Sequence, residues 1–385
     1  MIAAAATGSP WLNALPPFLV ASAVCIAAVP GSMWLARRTG AMAKPDADRH
    51  LHPRPTPRLG GIAMFAGFAV AIAIFGSSIT YQWQILAVTA AITVAMAVDD
   101  ILDLNWLSKL AIEVGVGVLT VLLGIAITTI AIPGGHIASV WELGLLAAPV
   151  TVVWLVGMQV SVNLLDGADG VAAGVIAIVA AVCLLAAINR IEAPSDVQSG
   201  VVILSGAVMG CCLGFLIFNL PPARVFMGDS GSHFLGVALG VITILGVAKV
   251  VVGLSILVPL IALGLPIGDT AFAIVRRTLA GRNPAAPDAG HLHHRLRRVG
   301  MNPLETAVTF YLVTGILGCL ALTIYGHRRI IDVALGLLVV ALVVLVWRNR
   351  RRVPRLPFVA VEENEVQVDG RRALPTHIHH RGEAD

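Results

Sequence analysis

A short polar loop at residues 218–232, FNLPPARVFMGDSGS, separates two long apolar runs. It carries an amide, a guanidinium and a carboxylate on Asn219, Arg224 and Asp229. Its prolines and glycines cannot continue either helix, so they turn the chain and leave main-chain N–H groups free to face a ligand. These groups suggest a site for a metal ion and a phosphate, with a well-built turn as the ordinary alternative.

A cluster of three carboxylates, in VDDILDLNWLSK, ends another apolar run. On a helix Asp103 would share a face with Asp99 or with Asp100, whereas the adjacent Asp99 and Asp100 diverge. Carboxylates this close repel one another, so we expect a cation or a shared proton between them. An ion-coupled transporter could use the same cluster.

The segment NLLDGADG places Asn163 and Asp166 three residues apart, on one face of a last helical turn. Gly167 and Gly170 then break the helix and expose backbone groups. A helix cap is the ordinary interpretation of any one of these side chains. Three oxygen-bearing side chains, with Asp169 as the third, favour a binding site instead.

Three histidines, His291, His293 and His294, lie among arginines in PDAGHLHHRLRR. Zinc is one interpretation, but no cysteine accompanies them nearby. Basic residues around imidazoles suit a phosphate better than a divalent cation. We therefore favour anion binding. The basic, proline-rich loop AKPDADRHLHPRPTPRLGG is typical of a patch that contacts lipid headgroups.

The elements that must position these groups are membrane helices. The 385 residues are 57% hydrophobic and 12% charged, which is about half the charged fraction of a soluble protein. This composition excludes a soluble globular fold and predicts an all-α, polytopic membrane protein. Eleven apolar runs could cross about 30 Å of hydrocarbon, near residues 15–36, 60–77, 81–98, 106–127, 145–164, 170–189, 200–218, 233–252, 254–275, 305–325 and 330–347. We expect a membrane domain at 1–347 and a polar, disordered cytoplasmic tail at 348–385.

Most of the 26 Lys and Arg residues fall on one face of this predicted stack, after the odd-numbered runs. The positive-inside rule makes that face cytoplasmic, with the N-terminus outside and the C-terminus inside. Seven acidic residues fall on the same face, although the rule does not require it. They suggest a site rather than a solvated rim: Asp99, Asp100, Asp103, Asp166, Asp169, Asp229 and Asp288.

Five motifs in this order, PRLGG, DDxxDL, NLLDGADG, FNxPPAxVFMGDSGS and HLHHRL, resemble those of the polyprenyl-phosphate N-acetylhexosamine-1-phosphate transferases, which are membrane enzymes of glycosyltransferase family 4. The resemblance covers residues 30–300. HLHHRL and PRLGG are closer to the GlcNAc-1-phosphate enzymes than to the muramoyl-pentapeptide branch. One departure is Ala43, where the family usually carries aspartate.

The resemblance implies transfer of a sugar 1-phosphate, most like GlcNAc-1-phosphate, from a UDP-sugar to a polyprenyl phosphate of a bacterial plasma membrane, with release of UMP. It implies Mg²⁺, or Mn²⁺ in its place, on Asp229 and Asn163. Catalytic roles would fall to Asp99, Asp100, Asp166, Arg277 and His291, and substrate contacts to Asp169, Asn219, His293, His294, Arg58 and Lys44.

Charge supports this interpretation independently. Both substrates carry about two negative charges near pH 7, and each unit pair repels by about 3 kcal/mol at 5 Å and an effective dielectric constant of 20. A divalent cation with Arg and His would offset this repulsion. A muramoyl-pentapeptide transferase and an ion-coupled transporter stay open as alternatives, as does a homodimer. Membrane lipids are expected partners and nucleic acid is not.

Overall fold

The computed structural model describes residues 10–43, 55–132, 139–188, 197–247, 278, 296, 301–323 and 328–352. Within them, ten long helices coincide with ten of the eleven predicted apolar runs: α1 Leu15–Thr39, α2 Gly60–Phe75, α3 Gln82–Leu102, α4 Trp106–Leu122, α5 Ala147–Leu165, α6 Val171–Ile188, α7 Val197–Asn219, α8 Gly228–Val247, α9 Pro303–Thr323 and α10 Arg328–Arg352. The run at 254–275 lies outside the described residues. So do five predicted site residues: Lys44, Arg277, His291, His293 and His294.

Eight of these helices, all except α4 and α10, are long and apolar enough to cross a membrane. The shorter α4 has 17 residues, and the apolar part of α10 spans 334–346. A polytopic helical membrane protein is thus confirmed, while the count of eleven spans stays a prediction. α10 continues to Arg352, past the predicted start of the tail at residue 348.

Two short antiparallel pairs of strands depart from the all-helical prediction. The first pairs β1, Met42–Ala43, with β2, Thr56–Pro57, and the second pairs β3, Thr129–Ile132, with β4, Ser139–Glu142. The predicted run at 106–127 ends as a helix at Leu122 because Gly124 takes a left-handed conformation, with φ +88°. The β-branched residues that follow it favour a strand.

The packing of the helices shows which ends of the bundle coincide. Along α1 and α7, Gly206 packs on Ala14 and Gly214 packs on Ser22, so these two helices run parallel. In the same way α2 runs parallel to α8, whereas α5 runs antiparallel to α8 because Trp154 and Asn163 contact opposite ends of that helix. The ends of α1, α3, α5 and α7 therefore meet the starts of α2, α4, α6 and α8. We call this end of the bundle the site end.

Helix α8 forms the centre of the bundle, since 94% of its most apolar stretch is buried. At its start the PRLGG motif allows an unusually close approach of α2. A Cβ atom on Gly61 would overlap the backbone of Gly231, and a Cβ atom on Gly60 would overlap the Phe215 ring. The N–H groups of Gly60 and Gly61 donate to the carbonyls of Phe226 and Met227, at 3.0 and 2.9 Å. These bonds satisfy the first turn of α2 and fix the loop before α8.

This contact predicts that Gly61→Ala destabilises the protein. The added methyl group meets backbone atoms that cannot move aside, and overpacking of this kind costs about 1–3 kcal/mol. We expect a lower unfolding temperature in detergent. Gly115→Ala on α4 is the matched control, because among the described residues no atom beyond its chain neighbours and its own helix backbone lies within 4 Å of the position of its Cβ. Equal unfolding temperatures for the two variants would contradict the close approach.

Candidate functional site

Three charged side chains from three helices meet at the site end. Lys109 Nζ lies 2.7 Å from Asp99 Oδ2 and 2.6 Å from Asp229 Oδ2. Asp99 closes α3, Asp229 opens α8, and Lys109 lies in the first turn of α4. Two carboxylates taken from water would repel each other unless a cation lay between them. The ammonium group of Lys109 occupies that position.

Lys109 is a site residue that the sequence analysis missed, because it was counted only as one of the basic residues of a loop. Asn105 caps α4 by accepting a hydrogen bond from the backbone N–H of Ser108, at 3.0 Å. The short turn between α3 and α4 then returns the chain toward Asp99. The sequence held one signal for Lys109: it lies in the first turn of a predicted helix, shortly after Asp99 and Asp100.

The turn after α3 corrects one expectation. Asp103 does not share a helical face with Asp99 or Asp100, because α3 ends at Leu102 and Asp103 takes a left-handed conformation with φ 53°. Asp103 is exposed, whereas Asp99 and Asp100 are buried. The turn is closed by Asp99 Oδ1, which accepts from the backbone N–H of Leu104 at 2.9 Å.

Asp100 caps the start of α8. Its two carboxylate oxygens accept from the backbone N–H groups of Asp229 and Ser230, at 2.9 and 3.0 Å. Arg58 Nη2 lies 3.6 Å from Asp100 Oδ1. Gly228 turns the chain here with φ +68°, and a Cβ atom on it would overlap Arg58 O and the Asp100 oxygens. These contacts favour a positioning role for Asp100, and its catalytic role stays a prediction.

Asn163 and Asp229, the predicted metal-binding pair, lie together. Asn163 Nδ2 donates to Asp229 Oδ1 at 3.0 Å and is 3.1 Å from Ser232 Oγ. Asn163 belongs to the last turn of α5, and the antiparallel packing of α5 on α8 brings its amide to the start of α8. Their role as metal ligands stays a prediction.

Asp169 and Asn219 join the loop before α6 to the loop after α7. Asn219 Oδ1 accepts from Gly170 N at 3.0 Å, and Asn219 Nδ2 donates to Val225 O at 2.9 Å. Asp169 Oδ2 accepts from Ala223 N at 3.0 Å. Asn219 is buried, and both ends of its amide are used within the protein. Contacts of these two residues with a nucleotide stay a prediction.

Asp166 directly follows α5 and keeps partial contact with solvent. Partial removal from water, with the carboxylates of Asp229, Asp100 and Asp169 nearby, raises the pKa of Asp166 well above its usual range. This side chain has an energetic reason to take up a proton or a cation. It belongs to the same negatively charged cluster as Asp229.

Glu113, a buried acidic residue of α4, contacts His233. Glu113 lies one turn deeper on α4 than Lys109, and His233 lies one turn deeper on α8 than Asp229. His233 Nε2 is 3.0 Å from Glu113 Oε1, and both side chains are buried. Sequence spacing could not identify this pair because it depends on how α4 is rotated against α8.

Comparisons with known proteins agree on one family. The model of "Glycosyl transferase family 4" matches residues 82–247, which include α3 to α8. The "Probable undecaprenyl-phosphate N-acetylglucosaminyl 1-phosphate transferase" of Bacillus subtilis is 34% identical over 77% of this chain and 80% of its own length. The "Decaprenyl-phosphate N-acetylglucosaminephosphotransferase" of Mycolicibacterium smegmatis is 33% identical over 83% and 84%. A "Phospho-N-acetylmuramoyl-pentapeptide-transferase" of a Synechococcus species is 32% identical over 68% and 77%.

The raised pKa of Asp166 predicts a pH-dependent gain in stability for Asp166→Asn. The folded protein binds this proton more tightly than the unfolded chain, so the group favours folding in acid and opposes it once the pH exceeds its unfolded pKa. We expect a higher unfolding temperature than wild type at pH 8, with a smaller difference at pH 5. Asp103→Asn, at the exposed end of α3, controls for the loss of one carboxylate. If the unfolding temperatures of Asp166→Asn and wild type differ by the same amount at pH 5 and pH 8, the prediction is contradicted.

Proposed function

The chain belongs to glycosyl transferase family 4, and on that premise we propose that it transfers N-acetylglucosamine 1-phosphate from UDP-N-acetylglucosamine to a polyprenyl phosphate. The observation that carries this proposal is the meeting of Asp99, Asp229 and Lys109 at one end of a bundle of membrane helices. Two relatives whose names specify N-acetylglucosamine and polyprenyl phosphate are 34% and 33% identical over 77% and 83% of this chain, whereas two muramoyl-pentapeptide relatives are 32% identical over 68% and 28% identical over 80%. That second activity is the alternative within the family.

The reaction exchanges one phosphoanhydride bond for another. An oxygen of the lipid phosphate attacks the β-phosphorus of the UDP-sugar, the bond from this phosphorus to the bridging oxygen breaks, and UMP leaves with the bridging oxygen. The attacking phosphate is already largely ionised near pH 7, because its second pKa is about 6. No general base is then required, and positioning and charge stabilisation supply most of the catalysis. We infer that Asp99 orients charged groups rather than removing a proton.

The residues at the site end fit a magnesium ion. No group of three His, Cys, Asp or Glu side chains among the described residues is arranged to hold a metal ion on its own. However, Mg²⁺ commonly takes only one or two carboxylates and completes its shell with water and substrate phosphates. Asp99 and Asp229 already converge on one cationic group, and the Asn163 amide contacts Asp229. Mg²⁺ held by Asp229 and Asn163 would neutralise part of the charge on the pyrophosphate.

The basic side chains have complementary tasks in this proposal. Lys109 holds Asp99 and Asp229 together, and its ammonium group could pair with a substrate phosphate if these carboxylates were neutralised by a bound cation. Arg58 is about one third exposed beside Asp100, so its guanidinium can contact a phosphate that enters the site end. Lys44, Arg277 and the histidines of HLHHRL, which lie outside the described residues, are proposed to complete the cationic surround.

We place the site end at the cytoplasmic face of a bacterial plasma membrane. Support comes from the packing of the helices, which brings the loops after α1, α3, α5 and α7 to one end. Lys and Arg residues concentrate in segments 37–58 and 276–298, with six in each. A water-soluble UDP-sugar would reach the site from the cytoplasm, while the phosphate of the lipid acceptor would enter from the membrane edge.

The substrate prediction is tested with purified enzyme, a polyprenyl phosphate, and labelled UDP-GlcNAc, UDP-GalNAc or UDP-MurNAc-pentapeptide. We expect a lipid-linked product and UMP from UDP-GlcNAc, and at least tenfold less product from the pentapeptide donor, in line with the discrimination that polar recognition can supply. Asp229→Asn is the inactive control. Product from the pentapeptide donor alone would overturn the substrate assignment.

The metal prediction has a readout that does not require turnover. Lys109→Gln removes the ammonium group between Asp99 and Asp229, which should cost about 1–3 kcal/mol of stability without divalent ions. Added Mg²⁺ should raise the unfolding temperature of this variant more than that of wild type, because the ion replaces the missing charge. Sodium chloride at equal ionic strength controls for screening, and Asp229→Asn in the Lys109→Gln background should remove the extra response. An identical Mg²⁺ response in wild type and Lys109→Gln would contradict a cation site here.

A further inference from the structure

Two polar contacts between α4 and α8 lie about one turn apart on each helix. Lys109 contacts Asp229, and four residues further along each helix Glu113 contacts His233. Residues four apart share a helical face, so the two contacts lie side by side on the same pair of faces. The first contact belongs to the site end, and the second lies one turn deeper in the apolar bundle.

The His233 ring connects both contacts. Its Nε2 atom is 3.0 Å from Glu113 Oε1, and its Nδ1 atom is 2.9 Å from the backbone oxygen of Asp229. Both neighbours are acceptors, so the ring makes both bonds when each nitrogen carries a proton, with the Glu113 carboxylate balancing the charge. The ring thereby fixes Glu113 to the same residue whose side chain meets Lys109.

The depth of the pair argues that it does more than hold the helices together. A buried ion pair adds little stability over apolar side chains of similar volume, because removal of both charges from water offsets most of their attraction. Apolar residues would therefore pack α4 against α8 equally well. What an apolar contact lacks is a fixed geometry, which directed hydrogen bonds supply.

The position of Lys109 depends on such a geometry. Its side chain is long and flexible, and its ammonium group must lie within 2.7 Å of two carboxylates on two other helices. Rotation or sliding of α4 by a fraction of a turn would remove the ammonium group from one of them. Glu113 is on the same face of α4 and is directly anchored to α8, so it limits that movement.

We propose that Glu113 and His233 are positioning residues for the transfer reaction, which hold α4 in the register on α8 that places Lys109 between Asp99 and Asp229. This inference rests on the proposed function for its catalytic readout. It assigns a task to a buried acid and a buried histidine that contribute no atom to the reacting groups.

The test compares two substitutions of Glu113. Glu113→Gln can keep both bonds with a neutral ring, because the glutamine amide donates to His233 Nε2 while Nδ1–H donates to the Asp229 carbonyl. This variant should retain turnover within about threefold of wild type, since the register is preserved. Glu113→Leu fills the space without the bond and should lower kcat about tenfold or more, because small misplacements of a catalytic group have effects of this order. The KM for UDP-GlcNAc should change less than twofold, and the unfolding temperature should change little. A loss of stability with unchanged kcat in Glu113→Leu would show a merely structural pair and overturn the proposal.

A double-mutant cycle tests whether the pair acts through Lys109. In a Lys109→Met background, Glu113→Leu should have no further effect on kcat, because the group that it positions is gone. If Glu113→Leu lowers kcat by the same factor in the Lys109→Met background as in wild type, the proposal is overturned. If turnover of Lys109→Met falls below detection, the cycle is measured on detergent unfolding temperatures, in which the stabilising effect of Lys109 should be smaller when residue 113 is leucine. Equal effects of Lys109→Met in both backgrounds would overturn it.

A matched control comes from the same helix. Trp154 Nε1 donates to Thr243 Oγ1 at 2.9 Å and joins α5 to α8 far from the site end. Thr243→Val removes this bond with little change of shape, and its effects should add independently to those of Lys109→Met. Coupling of Thr243→Val to Lys109→Met would show that any interhelical bond on α8 has the same effect. A wild-type enzyme that fails to transfer GlcNAc phosphate overturns the proposed function instead, and the unfolding cycle still decides the register.

Discussion

The structure depends on one electrostatic constraint, which is that Asp99 and Asp229 lie close together where apolar helices end. Neither carboxylate is stable there without a positive partner, because both are largely withdrawn from water. The constraint fixes the end of α3, the start of α8 and the first turn of α4 relative to one another. Carboxylates that converge on one ammonium group could also converge on a metal cation, as the proposed phosphate chemistry would require.

The apolar part of the bundle gives this constraint a rigid frame. Helix α8 is enclosed on nearly all sides, and glycines rather than large side chains separate its start from α2. The loop before α8 is held by backbone hydrogen bonds to the first turn of α2 and by the Asp100 carboxylate. Precision at the site therefore comes from main-chain contacts, which vary less than long side chains do.

The sequence predicted the helices and the end at which the polar motifs meet, because apolar runs of membrane length alternate in direction. Asp99, Asn163 and Asp229 could be brought together on that basis alone. The partners of individual side chains could not, because the choice of Lys109 for Asp229 and of His233 for Glu113 depends on helix rotation and register. The strand at 129–132 was missed for a local reason, since Gly124 ends a helix that apolar content alone would have continued.

Asp100 has a consequence for how this protein can meet a phosphate. The free amide groups at the beginning of a helix are a common cradle for phosphoryl oxygens, but at α8 the amides of Asp229 and Ser230 are already taken by a carboxylate of the same chain. These two backbone N–H groups are therefore not available to bind a phosphate at the start of α8. In the proposed reaction, neutralisation would then come from long basic side chains and from dissolved cations, and the cations could leave with the products. Activity would in this way depend on the ionic composition of the surrounding water.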